Sequence, residues 1–469
     1  MTQDIFEAWA IPSSVVVPGA TSDSAVAPEL SIRSLSIESR WLNELTDILV
    51  EGSGRLKNRK ARELARILGT VGSRFLKEGD PLRTKALELL PQASGLSVQM
   101  ARVVLDGMAA DWAEDRLLGL LKNEFGTSEG LDGFVKQDGC RTMAIGADLC
   151  VQIVSGSVPG VGVTALIRSL LTKAPTLLKP GRGDVVLPVL FMQALAVVDQ
   201  DLADHVAILY WSGGSSDLER GVLDRASVVT TYGGDESVES IRALTPVTKR
   251  FVAYHHRISV GVIGSQALTS GLVEQTARDV AYATAVFDQR GCVSPRSIYV
   301  ESGGDTTPQA FAEYLASALE SIENDLPGGH LELEEAAALH QVRGAAELLA
   351  VSGSAGGIYH GGKASWTVIF DPDSELRSDH VGRVVRVESI ENLSDLIKRL
   401  RPEKEHIQSV GVAGMGTDLD EFAEELGRIG VSRIAKFSGL PFPPSRWHHD
   451  GGSPLRDLVH WVDLEEVGG

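Results

Sequence analysis

Cysteine is scarce in this chain: 469 residues contain three, Cys140, Cys150 and Cys292, and none sits in a CxxC pair. One must stay unpaired in any disulfide scheme within a monomer, which excludes a disulfide scaffold and points to a reducing compartment, the cytoplasm. Basic charge is also short, with 44 Lys and Arg residues against 63 Asp and Glu and a formal net charge of -19. Such a surface repels nucleic-acid backbones and anionic lipid at long range, so nucleic acid is excluded as the expected partner. A small anionic cofactor is not excluded, because local Lys and Arg residues and helix N-termini act at contact distance.

Long apolar runs are missing too. The most apolar stretch, Val185 to Val198, contains Pro188 and Gln193 and lies between Asp184 and Asp199. It falls short of the roughly 20 residues that a membrane span needs, so a buried helix and no span are expected. The opening MTQDIFEAWA carries acidic residues where a secretory signal is basic, and no apolar core follows, so no export is expected. Neither an internal repeat nor a low-complexity tract occurs. The absence of any GxSxG elbow speaks against a serine hydrolase.

What is present is a composition of 43% hydrophobic and 23% charged residues, close to the globular average, in a chain long enough for two or three domains. Residues 1–50, rich in Ser, Ala, Pro and Val, are expected to form an N-terminal arm. From 51 to 250 a helical layer, with Leu64, Ile67, Leu68, Val71 and Phe75 at helical spacing, leads into alternating strands and helices. Short apolar strands such as VQIV (151–154), TLLK (176–179) and SVVTT (227–231), separated by helices, predict a parallel sheet that binds ligand at its carboxyl edge. A second α/β region is expected over 251–435, where Thr307-Pro308 reads as a helix N-cap and first turn. Residues 436–469, dense in Pro, Trp and His, are expected to pack on the core or on a partner subunit.

Val273, Ala277, Val280, Ala281, Thr284 and Phe287 share one helical face, and the chain then runs through Gln289-Arg290-Gly291-Cys292 into the strand SIYV. Cys292 is thereby placed on a turn between helix and strand, where a helix end and a neighbouring Arg depress a thiol pKa from about 8.5 toward neutrality. On position alone a nucleophile and a buried structural cysteine weigh equally. Cys140 and Cys150 read as structural.

FDQRGCVSPRSIYVE resembles the nucleophile segment of the aldehyde dehydrogenase superfamily. Together with LSVQMARVVLDGMAADW, SGSVPGVGVTALIRSLLTKAPTLLKP and RWHHDGGSPLRDLVHWVDLE it resembles the LuxC family of bacterial fatty acyl-CoA reductases from about residue 90 to the C-terminus. The resemblance implies an aldehyde dehydrogenase-like α/β fold, with a Rossmann-type cofactor domain and an α/β catalytic domain. It implies a cytoplasmic homo-oligomer that reduces a long-chain acyl thioester, acyl-CoA or acyl-protein, to the aldehyde through an acyl-Cys292 intermediate. An acyl-protein synthetase is a candidate partner.

The resemblance also assigns roles to single positions. TLLKPGRGD is similar to the superfamily's Lys-Pro-Ser-Glu segment at the adenosine ribose, with Lys179 matched and Arg182 where the Glu stands. Arg pairs with a 2′-phosphate that a carboxylate repels, so NADPH is the expected cofactor, with NADH as the alternative. Gly233-Gly234 resembles the glycine turn near the cofactor pyrophosphate; the plain alternative is a strand-to-helix turn capped by Asp235 or Ser237. Ser157 stands where the superfamily's oxyanion-binding Asn is found, which leaves oxyanion stabilisation mainly to the Cys292 N–H. Asp379 occupies the position of the Glu that holds the nicotinamide ribose. FVAYHHRIS has no carboxylate where hydrolytic relatives carry the Glu that activates water; His255 and His256 are there instead. His448, His449, Asp450 and His460 match no common zinc spacing, so no metal is expected. The rival readings are a hydrolytic aldehyde dehydrogenase and a non-catalytic thioester-binding partner of the same fold.

Overall fold

The computed structural model describes residues 4–137, 140–351, 356–362, 365–371, 376 and 382–465. The chain forms two compact units, Met1–Ser94 with Val104–His255 and Pro444–Gly469, and Gly95–Val103 with His256–Pro443. The fold class is mixed α/β in both, as the alternating pattern predicts.

In the first unit a six-stranded sheet, counted among the described residues, runs in the order Arg250–Tyr254, Val228–Tyr232, Cys150–Ile153, Thr176–Lys179, Val206–Leu209, Trp9–Ala10. All neighbours are parallel except Trp9–Ala10, which adds antiparallel at the edge. Parallel strands are buried on both faces, and the near-continuous apolar runs of this sheet reflect that. Register aligns Lys179 with Ile153 and Ile153 with Thr231, so these residues share the carboxyl edge. The apolar run after Asp184 forms the helix Val186–Val198, buried along almost its whole first half. Trp112 is fixed between Phe75 and Phe191, and its indole N–H donates to Thr164 Oγ1 at 3.0 Å. Residues 4–35 include short strands, and the helix Ser39–Lys57 begins within the stretch expected to be an arm. Asp4–Glu7 pairs parallel and Thr21–Ala27 antiparallel with Leu30–Leu35. The C-terminal strand Val459–Leu464 joins Cys140–Gly146 and Val135–Gln137 in a small antiparallel sheet.

The second unit is built on a seven-stranded sheet, again among the described residues, in the order Gly357–His360, Thr367–Phe370, Val384–Ile390, Pro295–Glu301, Ile258–Ile263, Ile407–Ala413, Arg433–Lys436. Only Gly357–His360 is antiparallel. Alternation along the strands divides the core. Ile298 and Val300 pack with Val280 and Phe311 under the helices Val273–Ala285 and Pro308–Asp325. Tyr299 joins Val410, Leu396 and Phe422 under Leu393–Leu400 and Leu419–Arg428. Each fully buried Val, Leu or Phe contributes about 1.5–3 kcal/mol relative to exposure, so both faces are firmly covered. The Thr307 hydroxyl accepts the Ala310 N–H at 3.2 Å, capping the helix that Pro308 begins. No helix among the described residues is long and apolar enough to cross a membrane.

Candidate active site

In the second unit the helix Val273–Ala285 buries Val273, Ala277, Val280 and Ala281 and ends at Val286 in extended conformation. Phe287, Asp288 and Gln289 then adopt φ of 60°, 51° and 60° in succession. A left-handed L-residue costs about 1–2 kcal/mol, and a run of three requires external restraint. That restraint is present. The Phe287 ring packs edge-on against Phe442 at 5.3 Å. Asp288 Oδ1 accepts from Arg383 Nε at 3.0 Å and from Nη2 at 2.7 Å, and Oδ2 accepts the Gly329 N–H at 3.2 Å. Gln289 donates to the Pro295 carbonyl at 2.8 Å and accepts the Val384 N–H at 3.0 Å. Arg383 also donates to Glu323 and to the Leu326 carbonyl, both at 2.9 Å.

Cys292 follows this anchored run in a turn closed by the Ser294 N–H to the Gly291 carbonyl at 3.0 Å. Cys292 is half-buried between the buried Gly291 and Val293, and its carbonyl accepts from the Ser259 hydroxyl at 2.6 Å. Arg290 donates to the His330 carbonyl at 3.1 Å and lies 3.6 Å from Glu335. Of the other cysteines, burial pushes Cys150 up to about 11, which leaves it a protonated core residue, and the Cys140 thiol contacts the Leu464 carbonyl at 3.4 Å.

In the first unit Lys179 ends its strand, and its ammonium stands 5.3 Å from the Trp211 ring centre. Burial pulls its pKa below the ordinary lysine value, and the nearby Glu219 opposes that pull. Arg182, in the turn Arg182–Asp184, is exposed. Here the chain touches itself backbone to backbone: a Cβ on Gly181 would lie 2.2 Å from the Gly156 nitrogen, and one on Gly183 2.3 Å from the Gly156 carbonyl oxygen. Ser157 is exposed, with its hydroxyl 3.1 Å from that of Ser155.

Asp184, which the sequence pattern did not single out, is buried and accepts the N–H groups of Gly160 and Gly162, each at 2.6 Å, at the start of the helix Val161–Leu171. Burial pushes its carboxyl up to about 7 against those two hydrogen bonds. This helix N-terminus is therefore capped from within the protein.

Gly233 donates to the Tyr254 carbonyl at 3.1 Å, and Gly234 is the N-cap of the helix Asp235–Leu244, with no side-chain cap. The N-cap position thus falls on Gly234 rather than on Asp235 or Ser237. A Cβ on Gly234 would meet nothing within 4 Å, so open space lies before these helix N–H groups. Lys179 and exposed Arg182 offer cationic donors and this helix start offers backbone N–H groups, residue types that fit the ribose and phosphates of a dinucleotide. Asp379 lies outside the described residues.

His255 stands 3.5 Å from Asp235, and the His256 ring lies 6.3 Å from that of His406. The tail residue His449 stacks between Tyr254 at 4.3 Å and Trp447 at 4.5 Å, and Tyr254 stacks on Tyr232 at 4.4 Å, so this segment is bound to the sheet edge by a column of rings.

The family described as acyl-CoA reductase (LuxC) matches residues 58–461. The long-chain acyl-protein thioester reductase of Aliivibrio fischeri is 23% identical over 436 residues, covering 90% of this chain and 87% of that protein. The protein of the same name from Photobacterium phosphoreum is 21% identical over 462 residues, covering 96% and 91%. Among solved structures, salicylaldehyde dehydrogenase from Pseudomonas putida G7 superposes with a TM-score of 0.76 at 13% identity, covering 99% of both chains. Aldehyde dehydrogenase 21 from Physcomitrella patens gives 0.76 at 14% identity, covering 100% of both. The fold is that of the aldehyde dehydrogenases.

Proposed function

Because this chain belongs to the acyl-CoA reductase (LuxC) family, we propose that it reduces a long-chain acyl thioester to the fatty aldehyde with NADPH, carrying the acyl group on Cys292. The observation that carries this reading is the nucleophile turn. A half-buried thiol follows three left-handed residues whose side chains are clamped by a buried ion pair and two amide hydrogen bonds. Restraint of this kind pre-positions a reacting atom, which is a large part of what a catalytic site supplies.

In the proposed reaction the Cys292 thiolate adds to the thioester carbonyl and a new C–S bond forms. The oxyanion that develops is met by the Cys292 N–H. Collapse expels the carrier thiol and leaves the acyl group on Cys292. When bound, NADPH supplies a hydride equivalent to that acyl carbon. Lys179 and Arg182 would hold its adenosine ribose and 2′-phosphate, and Gly233-Gly234 would leave its pyrophosphate room at the uncapped helix start. The resulting thiohemiacetal breaks its C–S bond, releasing aldehyde and regenerating the thiolate. The stretch FVAYHHRIS has no carboxylate to activate water, which favours reduction over hydrolysis of the acyl-enzyme. The names of the relatives support an acyl group delivered on a protein; the donor we propose for it is an acyl-protein synthetase. We place this reaction in the cytoplasm, in a homo-oligomer.

Incubation with radiolabelled long-chain acyl-CoA tests the reading. Label is expected on the wild-type protein, discharged as aldehyde on addition of NADPH, and absent from Cys292→Ala. Equal labelling of that variant overturns it.

A further inference from the structure

The strand Arg250–Tyr254 is the edge of the six-stranded sheet and, among the described residues, is paired along one side only, with Val228–Tyr232. An edge of this kind is commonly secured by a segment from elsewhere in the chain. Here the C-terminal segment grips it along its length. At its start Arg250 Nη1 donates to the Val459 carbonyl at 2.6 Å. In its middle Val252 packs with Leu458 and Val228. At its end the buried Tyr254 ring stacks on His449 at 4.3 Å and on Tyr232 at 4.4 Å, and Trp447 stacks on His449 at 4.5 Å.

The gripping segment is itself fixed. The buried Glu124, on the helix Glu114–Phe125, accepts from the Ser453 hydroxyl and from the Leu455 and Arg456 N–H groups, each of the latter at 3.3 Å. The Gly452 N–H donates to the His449 carbonyl at 2.9 Å, closing the turn that presents the imidazole.

What the strand end holds in turn is the glycine pair. Glycine loses more backbone freedom on folding than any other residue, so two in succession need an external hold. The Gly233 N–H donates to the Tyr254 carbonyl at 3.1 Å, and Asp235, just beyond the pair, lies 3.5 Å from His255. Tyr254 and His255 thus grip Gly233-Gly234 from either side, and the ring contacts with His449 fix Tyr254.

We propose that His449 is a positioning residue for nucleotide binding: stacked on Tyr254, it holds the Gly233-Gly234 turn where the cofactor pyrophosphate is received. The proposal rests on the reading of that turn as part of the nucleotide site, and it gives the C-terminal segment a part in cofactor affinity. His449 acts through Tyr254 and takes no part in acyl or hydride transfer. Its ring, rather than its ability to carry a proton, is what the turn requires.

The test is calorimetric titration of the full-length protein with two probes. One is NADPH; the other is adenosine 2′-monophosphate, which carries the adenosine and 2′-phosphate of NADPH but no pyrophosphate. His449→Ala is expected to weaken NADPH about tenfold while adenosine 2′-monophosphate stays within a factor of about two. His449→Phe, which keeps a stacking ring, is expected to bind NADPH within a factor of about two of wild type. Equal weakening of both probes would make His449 a general support of its unit and overturns the proposal. An unchanged NADPH affinity in a folded His449→Ala overturns it too, as does a loss in His449→Phe as large as in His449→Ala; the latter comparison decides alone if adenosine 2′-monophosphate binds too weakly to titrate. Should His449→Ala not fold, Trp447→Leu, one ring further from the strand, is expected to weaken NADPH about threefold, and no weakening there overturns the proposal. Wild-type protein that binds no NADPH rejects the nucleotide reading and this proposal with it. The expected pattern in a protein that takes no acyl label on Cys292 upholds the proposal while rejecting the acyl-carrier function.

Discussion

The carboxylate of Asp288 meets the guanidinium of Arg383 at 2.7 Å across 95 positions of sequence, with both side chains almost wholly buried. Breaking such a pair leaves one charge buried without its partner, at a cost of about 3–5 kcal/mol. Asp288→Asn is expected to lose stability on that scale while keeping a residue type that tolerates the left-handed region. A lowered urea midpoint, with alkylation of Cys292 slowed further than unfolding accounts for, is the expected result. An unshifted midpoint would show that the pair carries no net stabilisation.

Arg182 governs cofactor choice in the proposed function. Arg182→Glu is expected to raise KM for NADPH at least tenfold, about 1.4 kcal/mol, while leaving KM for NADH within a factor of about three. Steady-state kinetics with the two nucleotides checks this, and parallel increases for both would deny Arg182 any contact with the 2′-phosphate.

The backbone contact between Gly156 and Gly181 admits no side chain. Gly181→Ala would bring a Cβ to 2.2 Å from the Gly156 nitrogen and must push the two segments apart. Overpacking of this kind costs about 1–3 kcal/mol, and here it also displaces Lys179 and Arg182. Weakened NADPH binding in a fluorescence titration is expected, together with a lower melting temperature.

Asp184 makes stability fall as pH rises. Its carboxyl, raised from 3.8 to about 7 in the folded chain by burial, is protonated there at pH values where the unfolded chain has already released the proton. The stability tied to that proton is fully present below about pH 4 and is lost as pH climbs through about 7, by at most about 4 kcal/mol. Asp111, raised to about 6 chiefly by burial, acts in the same direction. Asp184→Asn is expected to flatten the decline in the denaturant midpoint between pH 5 and 7.5; an identical slope in the variant would contradict the assignment.

Local periodicity made much of this legible. The helix before Cys292 and the strand after it, Lys179 at its strand end, the Thr307 cap and the helix of Val186–Val198 all follow from patterns within a dozen residues. What supports the Cys292 turn does not. Arg383 reaches Asp288, and Ser259 reaches the Cys292 carbonyl, only because the sheet places Val384–Ile390, Pro295–Glu301 and Ile258–Ile263 side by side. Strand order is set by packing between distant segments, and no period in the chain encodes it. The left-handed run was hidden for a related reason, since Phe and Gln give no sign of adopting that conformation. Asp184 carries a local signal only in part, as an acidic residue between Gly183 and an apolar helix; its partners Gly160 and Gly162 lie 24 and 22 positions away.

The contact among Gly156, Gly181 and Gly183 also bears on heredity. Every single-base change at the first or second position of a glycine codon installs a side chain or a stop, while every third-position change is silent. Where a Cβ already collides with backbone, those three codons have only synonymous neighbours that preserve the loop. Arg182, exposed between two of them, meets no such barrier, so under the proposed function a change of nucleotide preference there leaves the loop intact.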